Sequence, residues 1–183
     1  SDDHQTCKNT TGRDKYYVSI QVWRYCSWAP NQIKKDKENE FLATDFGAKK
    51  HKAMSAIKQV TDGVGGCLFA LSIGVQHWKV FEWINAATGW EMEADEIMEA
   101  GLRVQNLRQH FNIREGINPV DFKIHDRIEG KPPLKDGPTK GRTLDIVSQM
   151  EGYWKEMGWS TSGVPTKKTL ESLKLDKHIN IVW

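Results

Sequence analysis

The sequence predicts an all-α fold, an irregular domain built from several helices. Apolar residues recur at spacings of three and four in four segments between residues 48 and 157, which is the period of one helix face. Glycine follows each segment and marks where a helix can end. Strand-like alternation occurs at Val18, Ile20 and Val22, but residues 15–28 also have helical spacing. Helix is favoured there because the rest of the chain is helical.

Composition is that of a folded domain. The chain has 183 residues, with 38% hydrophobic and 10% aromatic residues, enough to bury one core. We expect a polar, poorly ordered lead-in over residues 1–14 and a single helical domain over residues 15–183. Eight tryptophans suit either a packed helical core or the wall of a ligand cavity, and core packing is the commoner use.

Charge and cysteine content exclude several classes of protein. A net charge of +2, from 26 basic and 24 acidic residues, argues against nucleic acid or an anionic membrane as partner. No run of eighteen apolar residues exists and the start does not resemble a secretion signal, so a cytoplasmic location is expected. Cys7, Cys26 and Cys67 do not form a disulfide framework, and three thiols cannot hold an iron–sulfur cluster alone.

The first predicted helix after residue 40 covers residues 48–60, where Ala53, Ile57 and Val60 share a face. It leads directly into a glycine-rich turn at Asp62. The next predicted helix covers residues 68–87, is mostly buried, and ends before Gly89.

A long helix is predicted from Glu93 to about Asn112. Acidic residues crowd its first turns, where the helix dipole favours them. Gly101 would let a neighbouring helix approach closely. The apolar positions that repeat along it are Ile97, Gly101, Val104, Leu107 and Phe111.

Residues 130–141 hold three prolines and three glycines and are predicted to be a loop. Helix resumes near Thr143, with Leu144, Val147, Glu151 and Trp154 on one stripe, and stops at Gly158. Pro165 suits the first turn of a short last helix that ends at Leu173.

Several charged and polar groups have ordinary interpretations. The charge run at residues 34–38 is that of a solvated face or loop. Arg114 and Glu115 can form a buried ion pair that joins two helices, or contact substrate; the first is favoured. His51, His77 and His110 have no metal or triad spacing, so core or surface roles are expected.

The most informative segment is Asp-Gly-Val-Gly-Gly-Cys at residues 62–67, where a carboxylate and a thiol flank a turn that lacks side-chain bulk. Alone, this pattern fits either a two-ligand clamp or a structural turn with a buried, inert thiol. Two later segments occur in a fixed order after it. Residues 106–116 read Asn-Leu-Arg-Gln-His-Phe-Asn-Ile-Arg-Glu-Gly, and residues 158–166 read Gly-Trp-Ser-Thr-Ser-Gly-Val-Pro-Thr.

Together these three motifs resemble the C-terminal part of the tungsten-dependent aldehyde ferredoxin oxidoreductases. That family's pattern runs Asp-x-x-Gly-x-Cys, then Asn-Leu-x-x-x-Phe-Asn-x-Arg-Glu-Gly, then Gly-Trp-x-x-x-Gly-x-Pro. The resemblance covers roughly residues 53–175. It implies the C-terminal helical domain of such an enzyme, and we expect the chain to be part of a larger protein.

The resemblance also implies roles at the turn. Cys67 matches the cysteine that supplies the last ligand of a [4Fe–4S] cluster, the other three coming from a Cys-x-x-Cys-x-x-x-Cys segment outside this chain. Asp62 matches the aspartate that contacts the pterin of the tungsten cofactor, since one carboxylate accepts the paired N–H donors of a pterin edge. Gly65 and Gly66 would form the pterin side of the turn. For the isolated chain we expect neither tungsten nor cluster.

Three functions follow from the resemblance and remain open at this point. The first is a domain of a tungstopterin enzyme that oxidises aldehydes to carboxylic acids and passes electrons to ferredoxin. The second is a subunit that reduces an aromatic acyl-CoA thioester, and the third is a helical scaffold that has lost its cofactors. The expected partners are the N-terminal domains of the same enzyme, or a partner subunit, and ferredoxin. The basic loop at residues 131–142 can meet an acidic ferredoxin or be a plain solvated loop.

Overall fold

A computed structural model describes residues 42–67 and 79–176 of the chain. These residues form five helices and no strand beyond one isolated bridge between Trp159 and Pro165, so the all-α prediction is confirmed for them. None of these helices combines the length and apolar character that crossing a membrane requires. The helices are α1 (Asp45–Gly63), α2 (Val80–Thr88), α3 (Ala94–Arg114), α4 (Ile146–Met157) and α5 (Lys167–Ser172), with a 3-10 turn at Pro119–Asp121.

Several predictions fall outside these residues. They are the lead-in over residues 1–14, the helix over residues 15–28, the charge run at residues 34–38, and the roles of Cys7, Cys26 and His77. The described residues group into two compact units, one of residues 53–67 and 79–105 and one of residues 42–52 and 106–176. The single domain expected over residues 15–183 stays a prediction.

In the first unit, the buried face of α1 is the predicted one. Ala53, Ile57 and Val60 are all buried, together with Ala56. The close approach predicted at Gly101 is confirmed, because a Cβ added there would lie 2.2 Å from the carbonyl oxygen of Ala56. No side chain fits between these two backbones. α1 and α3 can therefore approach this closely only because residue 101 has no side chain.

The second helix differs from its prediction. It begins at Val80, and Lys79 is its non-helical N-cap, so one continuous helix over residues 68–87 is wrong at that point. Burial is also less than expected, since Val80 and Phe81 are buried whereas Trp83 is 52% exposed. The predicted end is confirmed, because Gly89 adopts a left-handed conformation and caps the helix.

The long helix α3 starts and ends close to its predicted limits, but its buried face is rotated from the predicted stripe. Ile97 and Gly101 are buried as expected. Val104, Leu107 and Phe111 are each at least 40% exposed. Burial instead follows Met98, Leu102 and Asn106, which are spaced by four residues. The predicted face was wrong because a search for apolar repeats does not count a polar residue such as Asn106 as buried.

The second unit has a core at the ends of α4 and α5. Its buried residues include Ala48, Trp154, Met157, Trp159, Leu170, Leu173 and Leu175. The predicted stripe on α4 is correct only at Trp154, because Val147 is 59% exposed and Glu151 is exposed as well. Packing thus follows the face that carries Trp154 and Met157.

Side-chain caps define where α4 and α5 begin. Asp145 accepts the backbone N–H of Ser148 through its carboxylate, at 3.0 Å, and is the N-cap of α4. Thr166 accepts the N–H of Thr169 in the same way at the start of α5. Pro165 therefore precedes this helix by two residues instead of lying in its first turn.

The predicted loop at residues 130–141 is confirmed as a series of turns. The N–H of Gly141 donates to the carbonyl of Leu134, and the N–H of Leu144 donates to the carbonyl of Glu129. Gly130 lies so close to Arg142 that a Cβ would approach its carbonyl oxygen to 2.5 Å. These bonds close the loop at its base.

Candidate cofactor-binding turn

The turn at residues 62–67 is the C-terminal cap of α1. The N–H of Gly66 donates to the carbonyl of Thr61 at 2.8 Å, and the N–H of Gly65 donates to the carbonyl of Asp62 at 3.1 Å. This pair of bonds is a Schellman motif, with Gly65 in the left-handed position at φ 75°. The amides of both glycines are therefore used to end the helix, and what Gly65 offers a ligand is open space beside its backbone.

Asp62 lies in the last turn of α1 and is exposed. Its carboxylate pairs with the ammonium group of Lys58, one helical turn earlier, at 2.5 Å. The negative end of the helix dipole disfavours a carboxylate at this position, so Lys58 offsets a local charge penalty. Since 43% of the Asp62 side chain is accessible, external N–H donors can reach the carboxylate.

Cys67 follows the turn and is an exposed free thiol. The alternative of a buried, inert thiol is therefore wrong for this residue. Among the residues that the structure describes, no three histidine, cysteine or acidic side chains come together as a metal site. One accessible thiol and one accessible carboxylate fit the two roles that the resemblance implies, a ligand to a cluster and a contact to a pterin. The remaining cluster ligands would have to come from elsewhere.

A cavity of about 700 Å³ adjoins the turn within the first unit. Residues 63–66 form one part of its wall, α2 and the segment after it form a second, and α3 forms a third. Asp62 and Cys67 are not among the lining residues. The lining side chains with the largest apolar surfaces are Trp83, Ile84, Trp90, Met92, Ile97 and Val104.

The second motif ends α3 with the same type of cap. The N–H of Ile117 donates to the carbonyl of Asn112, and that of Gly116 donates to the carbonyl of Ile113, each at 2.9 Å. Arg114 and Glu115 form an ion pair with each other at 2.8 Å, and both side chains are at least half exposed. The predicted buried pair between two helices is therefore wrong. Arg114 and Glu115 are neighbours at the end of α3, and both side chains lie in solvent. Their adjacency in the sequence does not show whether they pair with each other or with another helix.

The third motif is a tight loop between α4 and α5. Its glycine at position 158 ends α4, with the N–H of Trp159 donating to the carbonyl of Trp154 at 2.8 Å. The N–H of Ser160 donates to the carbonyl of Val164, and Thr169 Oγ1 donates to the carbonyl of Gly158 at 2.6 Å. The loop is thus closed by bonds across its base.

Two side chains of the second motif hold this loop. Asn106 Oδ1 accepts the indole N–H of Trp159 at 2.7 Å, in a buried environment. Gln109 donates to the carbonyl of Gly163 at 2.8 Å. Gly163 leaves no room for a side chain, because a Cβ would lie 2.7 Å from the Trp154 ring. The second and third motifs are therefore in direct packing contact.

Two of the candidate histidines have lowered basicity. Partial burial lowers the pKa of His51, whose ring packs edge-on against Tyr153 with centroids 4.8 Å apart. Partial burial and the nearby Arg114 lower the pKa of His110. Neither belongs to a metal cluster among the described residues. The surface or core role expected for both is consistent with this placement.

Sequence reasoning missed the residues that shape the cavity and the loop contact. Trp83 and Trp90 line the cavity, and the high tryptophan count was the only signal for them. Asn106 was identified only as part of a motif. It lies four residues after Leu102 and eight after Met98, and this helical spacing was the signal that could have placed it on the buried face.

Comparison with known proteins places these features in a family. The family described as "Aldehyde ferredoxin oxidoreductase, domains 2 & 3" matches residues 9–175 of the chain, and so extends further towards the start than the motifs do. The tungsten-containing aldehyde ferredoxin oxidoreductase of Pyrococcus abyssi is 26% identical over 139 residues, and that of Pyrococcus furiosus is 29% identical over 133 residues. These matches cover 74% and 70% of the chain.

A further relative is the "Aliphatic sulfonate oxidoreductase, WOR-like subunit" of Pyrococcus furiosus, which is 28% identical over 116 residues, 58% of the chain and 18% of that protein. The matches to the two tungsten-containing relatives cover 23% and 22% of those proteins, so the chain spans less than a quarter of their length. The family match nevertheless covers nearly the whole chain. The chain belongs to the aldehyde ferredoxin oxidoreductase family, in the part formed by domains 2 and 3.

Proposed function

We propose that this chain is the C-terminal part of a tungstopterin and iron–sulfur oxidoreductase that oxidises aldehydes to carboxylic acids, with ferredoxin as electron acceptor. Family membership and the tungsten-containing relatives support the cofactor class. The observation that carries the proposal is the α1 cap. It leaves the carboxylate of Asp62 and the thiol of Cys67 accessible on either side of a turn whose own amides are already bonded.

Each residue has a distinct task in this proposal. Cys67 binds one iron of a [4Fe–4S] cluster as thiolate, with three ligands from the rest of the enzyme. Asp62 accepts paired N–H groups from the pterin edge and exchanges its contact with Lys58 for them. Gly65 and Gly66 carry no side chain that would enter the space between the two groups, and the space beside Gly65 is open. When bound, the tungsten cofactor supplies the two-electron redox chemistry.

The overall reaction fixes what must enter and leave. Conversion of an aldehyde and water to a carboxylic acid releases two electrons and two protons. Two molecules of a one-electron ferredoxin would take the electrons. In this proposal the rest of the enzyme, as N-terminal domains or a partner subunit, contacts the chain and completes the cluster.

The test uses the holoenzyme, purified without oxygen, in which this chain is accompanied by the polypeptide that completes the cluster. We expect tungsten and iron by metal analysis, a cluster band in reduced-minus-oxidised spectra, and aldehyde-dependent reduction of ferredoxin. Cys67→Ser should remove the cluster band. Asp62→Ala should lower the tungsten content while the fold is retained.

The matched control is Glu171→Ala, because Lys167 and Glu171 form another exposed pair one helical turn apart. This variant should keep both metals. A holoenzyme without iron or tungsten would contradict the proposal, as would Asp62→Ala and Glu171→Ala variants that retain equal amounts of cofactor.

One alternative substrate is supported by a specific observation, the similarity to a relative named for aliphatic sulfonates. In that case the same holoenzyme would reduce ferredoxin with an alkylsulfonate and would be inactive with aldehydes. Turnover of both compound classes, measured side by side, separates the two functions.

A further inference from the structure

The chain contains two Asp-Gly sequences, at residues 62–63 and 136–137, and all four residues are exposed. In an Asp-Gly sequence the backbone nitrogen of the second residue reaches the side-chain carboxyl of the first readily, because glycine has no Cβ to obstruct the approach. The two sequences differ in the bonds that hold their backbone and carboxylate. These bonds, and not exposure, therefore decide which of the two can react.

Asp62 and Gly63 are held by the helix that they end. Gly63 is the last residue of α1, where each backbone N–H donates to the carbonyl four residues earlier. The carboxylate of Asp62 pairs with Lys58 at 2.5 Å, and its carbonyl accepts the N–H of Gly65 at 3.1 Å. For reaction, the nitrogen of Gly63 would have to leave its helical bond and the carboxyl would have to leave Lys58.

Asp136 and Gly137 lie in the loop at residues 130–141 and have neither restraint. Within the part of the chain that the structure describes, the carboxylate of Asp136 and the N–H of Gly137 have no hydrogen-bond partner. A Cβ placed on Gly137 would meet nothing within 4 Å, so the space beside this glycine is open. The next bond along the chain is at the Gly137 carbonyl, which accepts the N–H of Lys140 at 3.1 Å. The nitrogen and the carboxyl group are thus free to approach each other.

We propose that Asp136 is a site of spontaneous isoaspartate formation. The backbone nitrogen of Gly137 attacks the carboxyl carbon of Asp136, so that a C–N bond forms and the C–O bond to the leaving hydroxyl breaks. The hydroxyl and the proton of the nitrogen leave as water, and the product is a cyclic succinimide. Water then adds to one of the two ring carbonyls and breaks its C–N bond, which gives aspartate again or isoaspartate. Water is the only co-reactant.

Isoaspartate lengthens the main chain of the loop. The chain then runs through the former side-chain carbon, so one atom is added to the ring that the bond from the Gly141 N–H to the Leu134 carbonyl closes. The charge stays the same, but Lys135 and Lys140 become separated by a longer backbone. The α-carboxylate becomes a side group, and this group is the substrate of isoaspartyl carboxyl methyltransferases. That class of repair enzyme is therefore the expected partner of the modified loop.

The test incubates the full 183-residue chain at neutral pH and follows three of its peptides over time. Isoaspartate is measured by enzymatic methyl transfer from labelled S-adenosylmethionine and is located by electron-transfer fragmentation. It should form at Asp136 at least about fivefold faster than at Asp62, which corresponds to about 1 kcal/mol of local opening at the α1 cap. Asp126 is the control within the same unit, because it is exposed but precedes Arg127, and it should gain no detectable isoaspartate.

Two further measurements separate the effect of the fold from that of the sequence. In guanidinium chloride that unfolds the chain, Asp62 and Asp136 should react at similar rates, because each then precedes a glycine in an unbonded backbone. Gly137→Ala should remove most of the isoaspartate at residue 136, since its Cβ obstructs the attack, and should leave the rate at Asp62 unchanged. Circular dichroism checks the fold of this variant.

Equal rates at Asp136 and Asp62 in the folded chain would overturn the proposal. So would isoaspartate that forms at Asp136 only after unfolding, or that Gly137→Ala leaves unchanged. The proposal goes beyond the oxidoreductase function, and none of these results bears on metal content or the cluster band, by which that function is judged.

Discussion

The indole N–H of Trp159 donates a 2.7 Å hydrogen bond to Asn106 Oδ1, and both residues are nearly inaccessible, at 7% and 1% exposed. Asn106 opens the second sequence motif and Trp159 lies in the third. Two segments that are 53 positions apart are thus joined by one buried polar contact. A buried N–H that loses its acceptor costs more than the bond contributes, because its hydration is not restored.

We expect Asn106→Leu to lower the free energy of unfolding by about 1–3 kcal/mol, since it leaves the Trp159 N–H without this acceptor. Urea unfolding measures the change. Trp159→Phe is the matched partner variant because it removes the donor and keeps an aromatic ring. The double variant should lose less than the sum of the single losses. Strict additivity would show that the bond contributes nothing.

Gly101 and Gly152 form a contrasting pair of helix-interior glycines. A Cβ at Gly101 would meet backbone at 2.2 Å, whereas one at Gly152 would meet only the methyl group of Ala48 at 3.5 Å. Gly101→Ala should therefore destabilise by about 1–3 kcal/mol or more. Gly152→Ala should stabilise by about 0.5–1 kcal/mol through helix propensity. Denaturation midpoints that move in the same direction would contradict this structure.

Lys174 ends α5 in a left-handed conformation, with φ 58°. The N–H of Leu175 donates to the carbonyl of Leu170, so Lys174 occupies the position that glycine holds in the other Schellman caps. Lys174→Gly should raise the free energy of unfolding by about 1 kcal/mol, because glycine adopts this conformation without steric cost. Lys174→Ala retains the strain and should leave stability nearly unchanged. Thermal unfolding of both variants checks the difference.

Asp145 carries a pH dependence. Hydrogen bonds from the side chain and backbone of Ser148 hold the pKa of the Asp145 carboxyl below its usual value. A lowered folded-state pKa stabilises the fold above the unfolded-state pKa of about 4, and this contribution is lost as pH falls through the folded-state pKa. Asp145→Ala should therefore unfold at lower urea concentration at pH 7, with the difference shrinking towards pH 2.

Asp145→Asn separates the charge from the cap. Asparagine caps helices about as well as aspartate, so the variant should retain most of the stability while losing this part of the pH dependence. Urea midpoints between pH 2 and pH 7 provide the measurement. A parallel pH profile for Asp145 and its asparagine variant would show that the carboxylate charge is not responsible.

Asp62 should matter little to folding. Its pair with Lys58 is exposed, and its carboxylate lies at the unfavourable end of the α1 dipole. Asp62→Ala is expected to change the free energy of unfolding of the chain by no more than about 0.5 kcal/mol. Lys58→Ala, which leaves the carboxylate without this partner, should be at least as destabilising. A large loss in Asp62→Ala would indicate that the carboxylate is needed for the turn itself.

Much of the helical framework could be predicted, because helix ends depend on local chemistry. Gly89 and Gly158 stop helices for reasons that lie within a few residues. Which face of each helix is buried could not be predicted equally well. Val104 and Val147 are apolar yet exposed, since burial depends on what the fold brings opposite them.

The position of the candidate turn in the sequence was predicted, but its backbone geometry was not. The spacing of Asp62 and Cys67 identified it, whereas the use of both glycine amides in a helix cap follows only from the backbone bonds. The adjoining cavity was not predicted, because Trp83 and Trp90 come to one space through the end of α2 at Gly89. Linear spacing does not report such a juxtaposition.

Because Gly101 packs directly on Ala56, the walls of the cavity differ in how readily their residues can be substituted. The wall from α1 and α3 is fixed, since any added carbon atom at Gly101 would push these helices apart and displace the turn that carries Asp62. The wall from α2 ends in exposed side chains that can be exchanged without moving backbone. Side chains on the α2 side, at Trp83, Ala87 and Trp90, can thus be exchanged while the backbone of the turn at residues 62–67 keeps its position.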